Sequence, residues 1–169
     1  MSLFVTRLGS GHQRDGFDSG RPELDEWLRR HARNNDGRYD TARVWVLCDE
    51  GHAGGAQPIG YYTLSTHAVV HTDVSHLGMP QSRQWPDPVP AVLLGRLAIA
   101  KSHQGRGLGT RLLRDAVDKV LDMQQQVAAV LLVVHAIDDH AADFYDQRGF
   151  RRLADSRLAA RVKDLAANL

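Results

Sequence analysis

Gly105, Gly107 and Gly109 alternate through the run Gln104-Gly-Arg-Gly-Leu-Gly-Thr110, directly ahead of an amphipathic helical pattern. Glycines so spaced strip side chains from a turn, and consecutive backbone N–H groups can then approach an anion. The head of the helix adds unpaired N–H donors and the positive end of its dipole. Such a cradle suits a pyrophosphate, with Arg106 or Arg111 adding charge at its rim. Two familiar phosphate loops do not fit. A Walker A loop ends in Gly-Lys-Ser/Thr, and Gly109-Thr110-Arg111 lacks the lysine. A Rossmann fingerprint reads GxGxxG straight after its strand, whereas these glycines run GxGxG behind the polar spacer Lys101-Ser102-His103. The plainer alternative is a tight turn that uses glycine only for backbone freedom, although glycines at the head of a good helix weaken it.

The elements that must position this loop are legible around it. Ala91 to Ala100 is a nearly continuous apolar run, as expected of a central strand. Leu108, Leu112, Leu113, Ala116, Val117, Val120 and Leu121 follow helical spacing. Earlier, Leu3 to Arg7 reads as a strand and Glu23 to Arg33 as a helix, with Pro22 at its first turn, acids early and arginines late. Thr41 to Cys48 and Pro58 to Val70 read as strands joined by a glycine-rich hairpin loop, Asp49 to Gln57. Thr72 to Pro90 is a long proline-bearing loop, and loops of that length are usually functional. Val127 to His135 reads as a buried strand, Asp138 to Gln147 as a short helix ended by Gly149, and two weak strands and a polar helical tail follow. Strands alternating with helices in 169 residues predict a single domain over 1–169, of α/β or α+β architecture.

Composition excludes little else. The apolar fraction of 43%, the charged fraction of 24% and a net charge of +1 are those of an ordinary globular chain with no global pull toward nucleic acid. A lone cysteine, Cys48, removes disulfide frameworks and CxxC sites. No segment reads as a signal peptide and no apolar run reaches membrane-spanning length, so the expected location is the cytoplasm, with no membrane partner.

Gln104-Gly-Arg-Gly-Leu-Gly109, with a strand before and a helix after, resembles the Gln/Arg-x-x-Gly-x-Gly/Ala signature of the GCN5-related N-acetyltransferases, the GNAT family. His135 to Phe150 resembles the family's later signature, in which a helix carries an aromatic pair, here Phe144-Tyr145, ahead of Gly149-Phe150. The resemblance implies the GNAT fold: a central mixed β-sheet with splayed central strands, flanked by helices. It implies acetyl-CoA as cosubstrate, its pyrophosphate on Gln104, Gly105, Arg106, Gly107, Leu108, Gly109 and Thr110. Its pantetheine arm would lie along Leu97, Ala98 and Ile99, through backbone hydrogen bonds of Leu97 and Ile99. Phe144 would line the cofactor groove and Tyr145 would point at the sulfur.

The likeness extends from Phe17 to Phe150. Phe17, Leu24-Asp-Glu-Trp-Leu28, Thr41, Gly60-Tyr-Tyr-Thr-Leu-Ser65 and Pro88-Val-Pro-Ala-Val-Leu-Leu-Gly-Arg-Leu-Ala98 occur in the order seen in GNAT toxins of bacterial type II toxin–antitoxin systems, the TacT and AtaT group. Such toxins acetylate the α-amine of aminoacyl-tRNA and block translation. The resemblance therefore implies a ribbon-helix-helix antitoxin as partner, DNA contact only through that complex, and a homodimer. Ile99 stands where valine is common, and the tail beyond Phe150 matches poorly.

On this reading an amine attacks a thioester and a thiolate leaves. Tyr145, with a reference pKa of about 10, keeps its proton at neutral pH and can donate it to the sulfur; a core tyrosine is the alternative. His67, His71, His76, His135 and His140 are bases by chemistry only, and an aminoacyl amine is already largely neutral, so no strong protein base and no metal are expected. Arg29, Arg30, Arg33, Arg38 and Arg43 gather around the first helix, where they can hold tRNA phosphates or simply complement the helix dipole. Of these, Arg29, Arg30 and Arg33, together with Arg96, are the expected tRNA-binding set. Arg96, inside a buried run, must be paired or face a cleft, steering the acceptor end or bracing the site. Trp27 reads as core, and Trp85 either covers an acceptor amine or anchors its loop. Two rivals stay open: a GNAT enzyme acting on a small-molecule or protein amine, and a non-catalytic acyl-CoA-binding corepressor.

Overall fold

The computed structural model describes residues 2–50, 56–75, 77–153 and 155–169. Its strands are β1 (Leu3–Arg7), β2 (Arg43–Asp49), β3 (Gly60–Val69), β4 (Val89–Ile99), β5 (Leu131–His135), β6 (Arg151–Arg152) and β7 (Arg157–Arg161). They hydrogen-bond in the order β1-β2-β3-β4-β5-β7-β6, a mixed sheet. The helices are α1 (Pro22–Arg30), α2 (Ala32–Gly37), α3 (His71–Val74), α4 (Leu108–Met123), α5 (Asp139–Asp146) and α6 (Val162–Asn168). The chain divides into two compact units: Met1–Ser65 with Arg96–Asp115, and Thr66–Gly95 with Ala116–Leu169. The glycines of the expected hairpin loop and His76 lie outside the described residues.

In the first unit, β1, β2 and the start of β3 run antiparallel, from Leu3↔Asp49 to Arg7↔Trp45 and from Arg43↔Leu64 to Leu47↔Gly60. Val44, Val46 and Cys48, two residues apart on β2, pack with Phe17, Leu24, Leu28 and Tyr61. Burial pushes the Cys48 thiol up to about 11, so it is inert at neutral pH. The expected helix from Glu23 to Arg33 is two helices. It breaks at His31 because Arg14 Nη1 donates at 3.0 Å to both Leu28 O and Arg29 O, meeting carbonyls that a continuing helix would occupy. Arg33 therefore belongs to α2.

Gly60 sits where β3 meets the end of β4. A Cβ there would lie 2.8 Å from Ile99 Cδ1 and 3.1 Å from both Ala98 O and Leu112 Cδ1. The carbonyl cannot swing aside, so Gly60→Ala is expected to destabilise the protein by about 1–3 kcal/mol, read as a fall in Tm. An unchanged Tm would show that this close approach is not needed.

In the second unit, β4 pairs parallel with β5 from Ala91↔Leu131 to Leu94↔Val134, and β7 runs antiparallel to β5. Val69, Val74, Met79, Val89, Ala91, Leu131 and Val133 form its core. The stretch read as a long loop from Thr72 to Pro90 holds most of α3 and a 3-10 turn, Pro80–Gln84, and β4 begins at Val89. His71 pins this segment: its N–H donates to Asp87 Oδ1 at 2.9 Å and its Nε2 lies 2.5 Å from Ser82 O. Trp85 packs onto the core and so anchors its own segment. The strand expected from Val127 begins at Leu131. Val127 is exposed because the chain turns after α4, with Gln124 Nε2 donating to Ala129 O at 2.5 Å.

Candidate active site

The glycine loop follows a short 3-10 turn, Lys101–His103. Gly105 and Gly107 have φ of +74° and +75°, a region that favours glycine, and an added Cβ at either would meet no heavy atom within 4 Å. The bareness of the turn therefore leaves open space, as a diphosphate cradle requires; close packing does not explain it. Leu108, Gly109 and Thr110 form the first turn of the 16-residue helix α4, the end of a helix where N–H groups point outward along its axis. Leu112, Leu113, Ala116, Val117 and Val120 bury one face of α4. Arg106 is exposed beside the turn. Arg111 is not a free rim charge, because its Nη2 donates to Leu3 O at 2.5 Å.

The strand feeding the loop presents a backbone edge. Ala100 N–H donates to Ile59 O at 2.8 Å, and Ala98 O faces Gly60. Alternation then turns the backbone groups of Leu97 and Ile99 the other way. Pairing of β4 with β5 runs only from Ala91 to Leu94, although β4 continues to Ile99. Gln104 uses both amide hydrogens: Nε2 donates at 2.8 Å to Ile99 O and at 2.8 Å to Ser19 O. The first residue of the loop thus ties the strand to the turn that launches α1. That turn is itself braced, since Asp25 Oδ1 accepts from Ser19 N–H at 2.9 Å and from Ser19 Oγ at 2.6 Å. The sequence offered no signal for this brace: 85 residues separate Gln104 from Ser19, and Asp25 read only as a dipole-balancing acid.

Tyr145 is held differently. Asp138 caps α5, accepting from Ala141 N–H at 2.8 Å, and Gly149, at φ +94°, ends it. The Tyr145 ring stands edge-on to Phe144 at 5.1 Å and to Phe150 at 5.3 Å. Burial raises its pKa far above the usual 10, so the hydroxyl keeps its proton. The structure has two other buried tyrosines, and both hydroxyls are committed: Tyr61 Oη to Leu24 O at 2.7 Å and Tyr62 Oη to Asp115 Oδ2 at 2.6 Å. Among the described residues, the Tyr145 hydroxyl has no hydrogen-bond partner. The Phe144 ring is half-buried, with the Arg148 guanidinium 3.8 Å from its centroid.

The candidate arginines are not equivalent. Arg29 Nη1 donates to Phe17 O at 3.1 Å and so does structural work. Arg30 is exposed and pairs with Glu26 at 3.3 Å, and Arg33 is exposed on α2. Arg43 pairs with Asp40 at 2.8 Å and with Asp36, which Arg7 also holds. Arg96 is half-buried against Trp27.

Of the candidate bases, His71 is committed to its turn, and His135 and His140 are exposed. Among the described residues His67 Nε2 is buried with no partner, and burial first, then Arg157 and His135, hold its pKa below 6.5. Neutral in the fold while the unfolded chain protonates near 6.5, it contributes stability above that pH that is lost as pH falls toward its folded pKa. His67→Phe is therefore expected to narrow the drop in Tm between pH 7.5 and pH 5. An equal drop in both chains would remove His67 from the acid sensitivity.

Comparison with known proteins agrees with this geometry. The acetyltransferase (GNAT) family model matches residues 11–150. The chain is 37% identical over 139 residues to a tRNA-acetylating toxin of Mycobacterium tuberculosis (strain ATCC 25618 / H37Rv), covering 82% of this chain and 78% of that protein. AtaT complexed with acetyl-methionyl-tRNAfMet superposes with a TM-score of 0.87 at 27% identity over 98% of both chains. An AtaT mutant toxin bound to the C-terminus of the antitoxin AtaR superposes with a TM-score of 0.81 at 27% identity over 98% of this chain and 95% of that one. With a family match across most of its length and the bare loop that the family's signature demands, the chain belongs to the GNAT family of N-acetyltransferases.

Proposed function

We propose that the two units act as one acetyltransferase domain whose product is an N-acetylated aminoacyl-tRNA, and that the protein is a toxin acting in the cytoplasm by blocking translation. The observation that carries this reading is the open glycine turn at the head of α4, in a chain 37% identical to a tRNA-acetylating toxin. Acetyl-CoA supplies the acetyl group as an activated thioester. Gln104 to Thr110 hold its diphosphate through main-chain N–H groups, Arg106 adds charge, and Leu97 and Ile99 offer the pantetheine arm their backbone edge. Phe144 lines the groove.

Tyr145 Oη donates its proton to the departing sulfur as the aminoacyl nitrogen bonds to the acetyl carbon and the C–S bond breaks. The nitrogen's surplus proton leaves to water, water returns a proton to Tyr145 Oη, and no protein base is needed. Arg30, Arg33 and Arg96 contact tRNA phosphate, and Arg29 positions the Phe17 turn beside them. A ribbon-helix-helix antitoxin neutralises the protein and carries its contact with DNA, and the active toxin is a homodimer. Among the described residues no helix is long and apolar enough to cross a membrane.

The test is incubation with radiolabelled acetyl-CoA and total charged tRNA. Label is expected in the tRNA fraction, released by mild alkali as an N-acetylamino acid, and not in deacylated tRNA. Label appearing only in polyamines or protein would favour a metabolite or protein acetyltransferase. No transfer to any amine, with acetyl-CoA still bound, would favour a non-catalytic corepressor.

A further inference from the structure

Arg96 stands apart from the arginines of its unit whose donors are spent on the fold. Arg7 and Arg43 rest on Asp36, Arg14 on Leu28 O and Arg29 O, Arg29 on Phe17 O and Arg111 on Leu3 O. The Arg96 guanidinium instead lies over the ring of Trp27, 4.1 Å from its centroid. Trp27 stacks in turn on Tyr61, centroids 6.1 Å apart and planes within 7°, and Tyr61 is fixed through its hydroxyl to Leu24 O.

A π contact engages the face of a guanidinium, whereas its N–H donors lie in the plane. Among the described residues none of these donors has an acceptor, and no carboxylate is paired with the group. Burial lowers the pKa of Arg96, the mark of a charge held partly out of water. A desolvated, uncompensated cation is unfavourable in free energy until an anion reaches it. The fork is therefore aimed, half dry and unfilled, from a position one residue before Leu97.

We infer that Arg96, braced on Trp27, binds the phosphodiester on the 5′ side of the terminal adenosine of the aminoacyl-tRNA. The inference rests on the tRNA reading above. The amine, ester, ribose and adenine of that nucleotide carry no permanent negative charge, and the phosphodiester is the anion it presents whatever amino acid it bears. A planar fork matches two phosphate oxygens as a lysine cannot. The acetyl carbonyl is the other site of negative charge, but it belongs beside the backbone edge of Leu97 and Ile99, whereas the Arg96 side chain leaves the sheet toward α1.

The test compares two minimal acceptors bearing whichever amino acid the charged-tRNA assay identifies: 3′-aminoacyl-adenosine and its 5′-(methyl phosphate) diester. Wild type is expected to favour the diester by about 10- to 100-fold in kcat/KM, the range of a charge-assisted hydrogen-bond pair. Arg96→Met, which keeps apolar cover on Trp27, should bring the ratio near one without changing the KM for acetyl-CoA. Arg96→Lys should give an intermediate ratio, and it decides the matter if the Met variant does not fold. Equal use of both acceptors by wild type, or a preference that survives in Arg96→Met or is undiminished in Arg96→Lys, overturns the inference. Either result leaves the proposed function intact if charged tRNA is still acetylated, whereas failure to acetylate charged tRNA removes that function itself.

Discussion

Tyr145→Phe is expected to lower kcat for acetyl transfer by about 10²–10⁴-fold, with the KM for acetyl-CoA and Tm close to wild type. The expectation follows from what the hydroxyl does and does not touch. Phenylalanine keeps the edge contacts with Phe144 and Phe150, and no protein acceptor among the described residues is left stranded. Two buried tyrosines provide the contrast. Tyr61→Phe removes the hydrogen bond to Leu24 O and Tyr62→Phe the one to Asp115 Oδ2, so each should lower stability by about 0.5–3 kcal/mol and change kcat less than Tyr145→Phe. Steady-state kinetics and thermal melts on the three variants check the pattern. Full activity in Tyr145→Phe would remove the general acid from the mechanism, and unchanged growth inhibition by that variant would strengthen the corepressor reading.

Filling the cradle should have an effect of similar size, on binding instead of turnover. At Gly107 the obstacle to a side chain is the φ of +75° and not a neighbouring atom. Asparagine tolerates that backbone region and valine does not. Gly107→Asn and Gly107→Val are both expected to weaken acetyl-CoA by about 100-fold or more, by placing atoms where main-chain N–H groups meet the diphosphate. Only the valine variant should also lose about 1–3 kcal/mol of stability. Normal affinity in Gly107→Asn would mean that the turn is bare for its own conformation alone.

The parts of the molecule legible in advance were those with a periodicity or a spacing of their own. The apolar run of β4, the stripe of α4 and the glycines between them sit consecutively in the chain, so the order of strand, bare turn and helix was readable from residues 91–121 alone. The break between α1 and α2 was not, because the group that causes it is Arg14, well outside the helix. The start of β5 was misplaced for a similar reason: Val127 is as apolar as Val130, and only the turn closed by Gln124 exposes it. Arg111 read as a phosphate charge until its partner, Leu3 O, came from the far end of the sequence. Long-range hydrogen bonds of this kind decide which polar side chains are spent on the fold and which are left for a ligand, and no local pattern announces them. The same accounting distinguishes Tyr145 from Tyr61 and Tyr62, and Arg96 from the arginines around it.

The whole reading depends on the loop ahead of α4 recognising a diphosphate through its main chain. Titration calorimetry of the folded protein with acetyl-CoA tests this most directly. A saturable, one-to-one exotherm is expected, much weakened when the same titration uses acetyl-pantetheine, which lacks the diphosphate. No heat up to millimolar acetyl-CoA, or equal affinity for the truncated thioester, would contradict it.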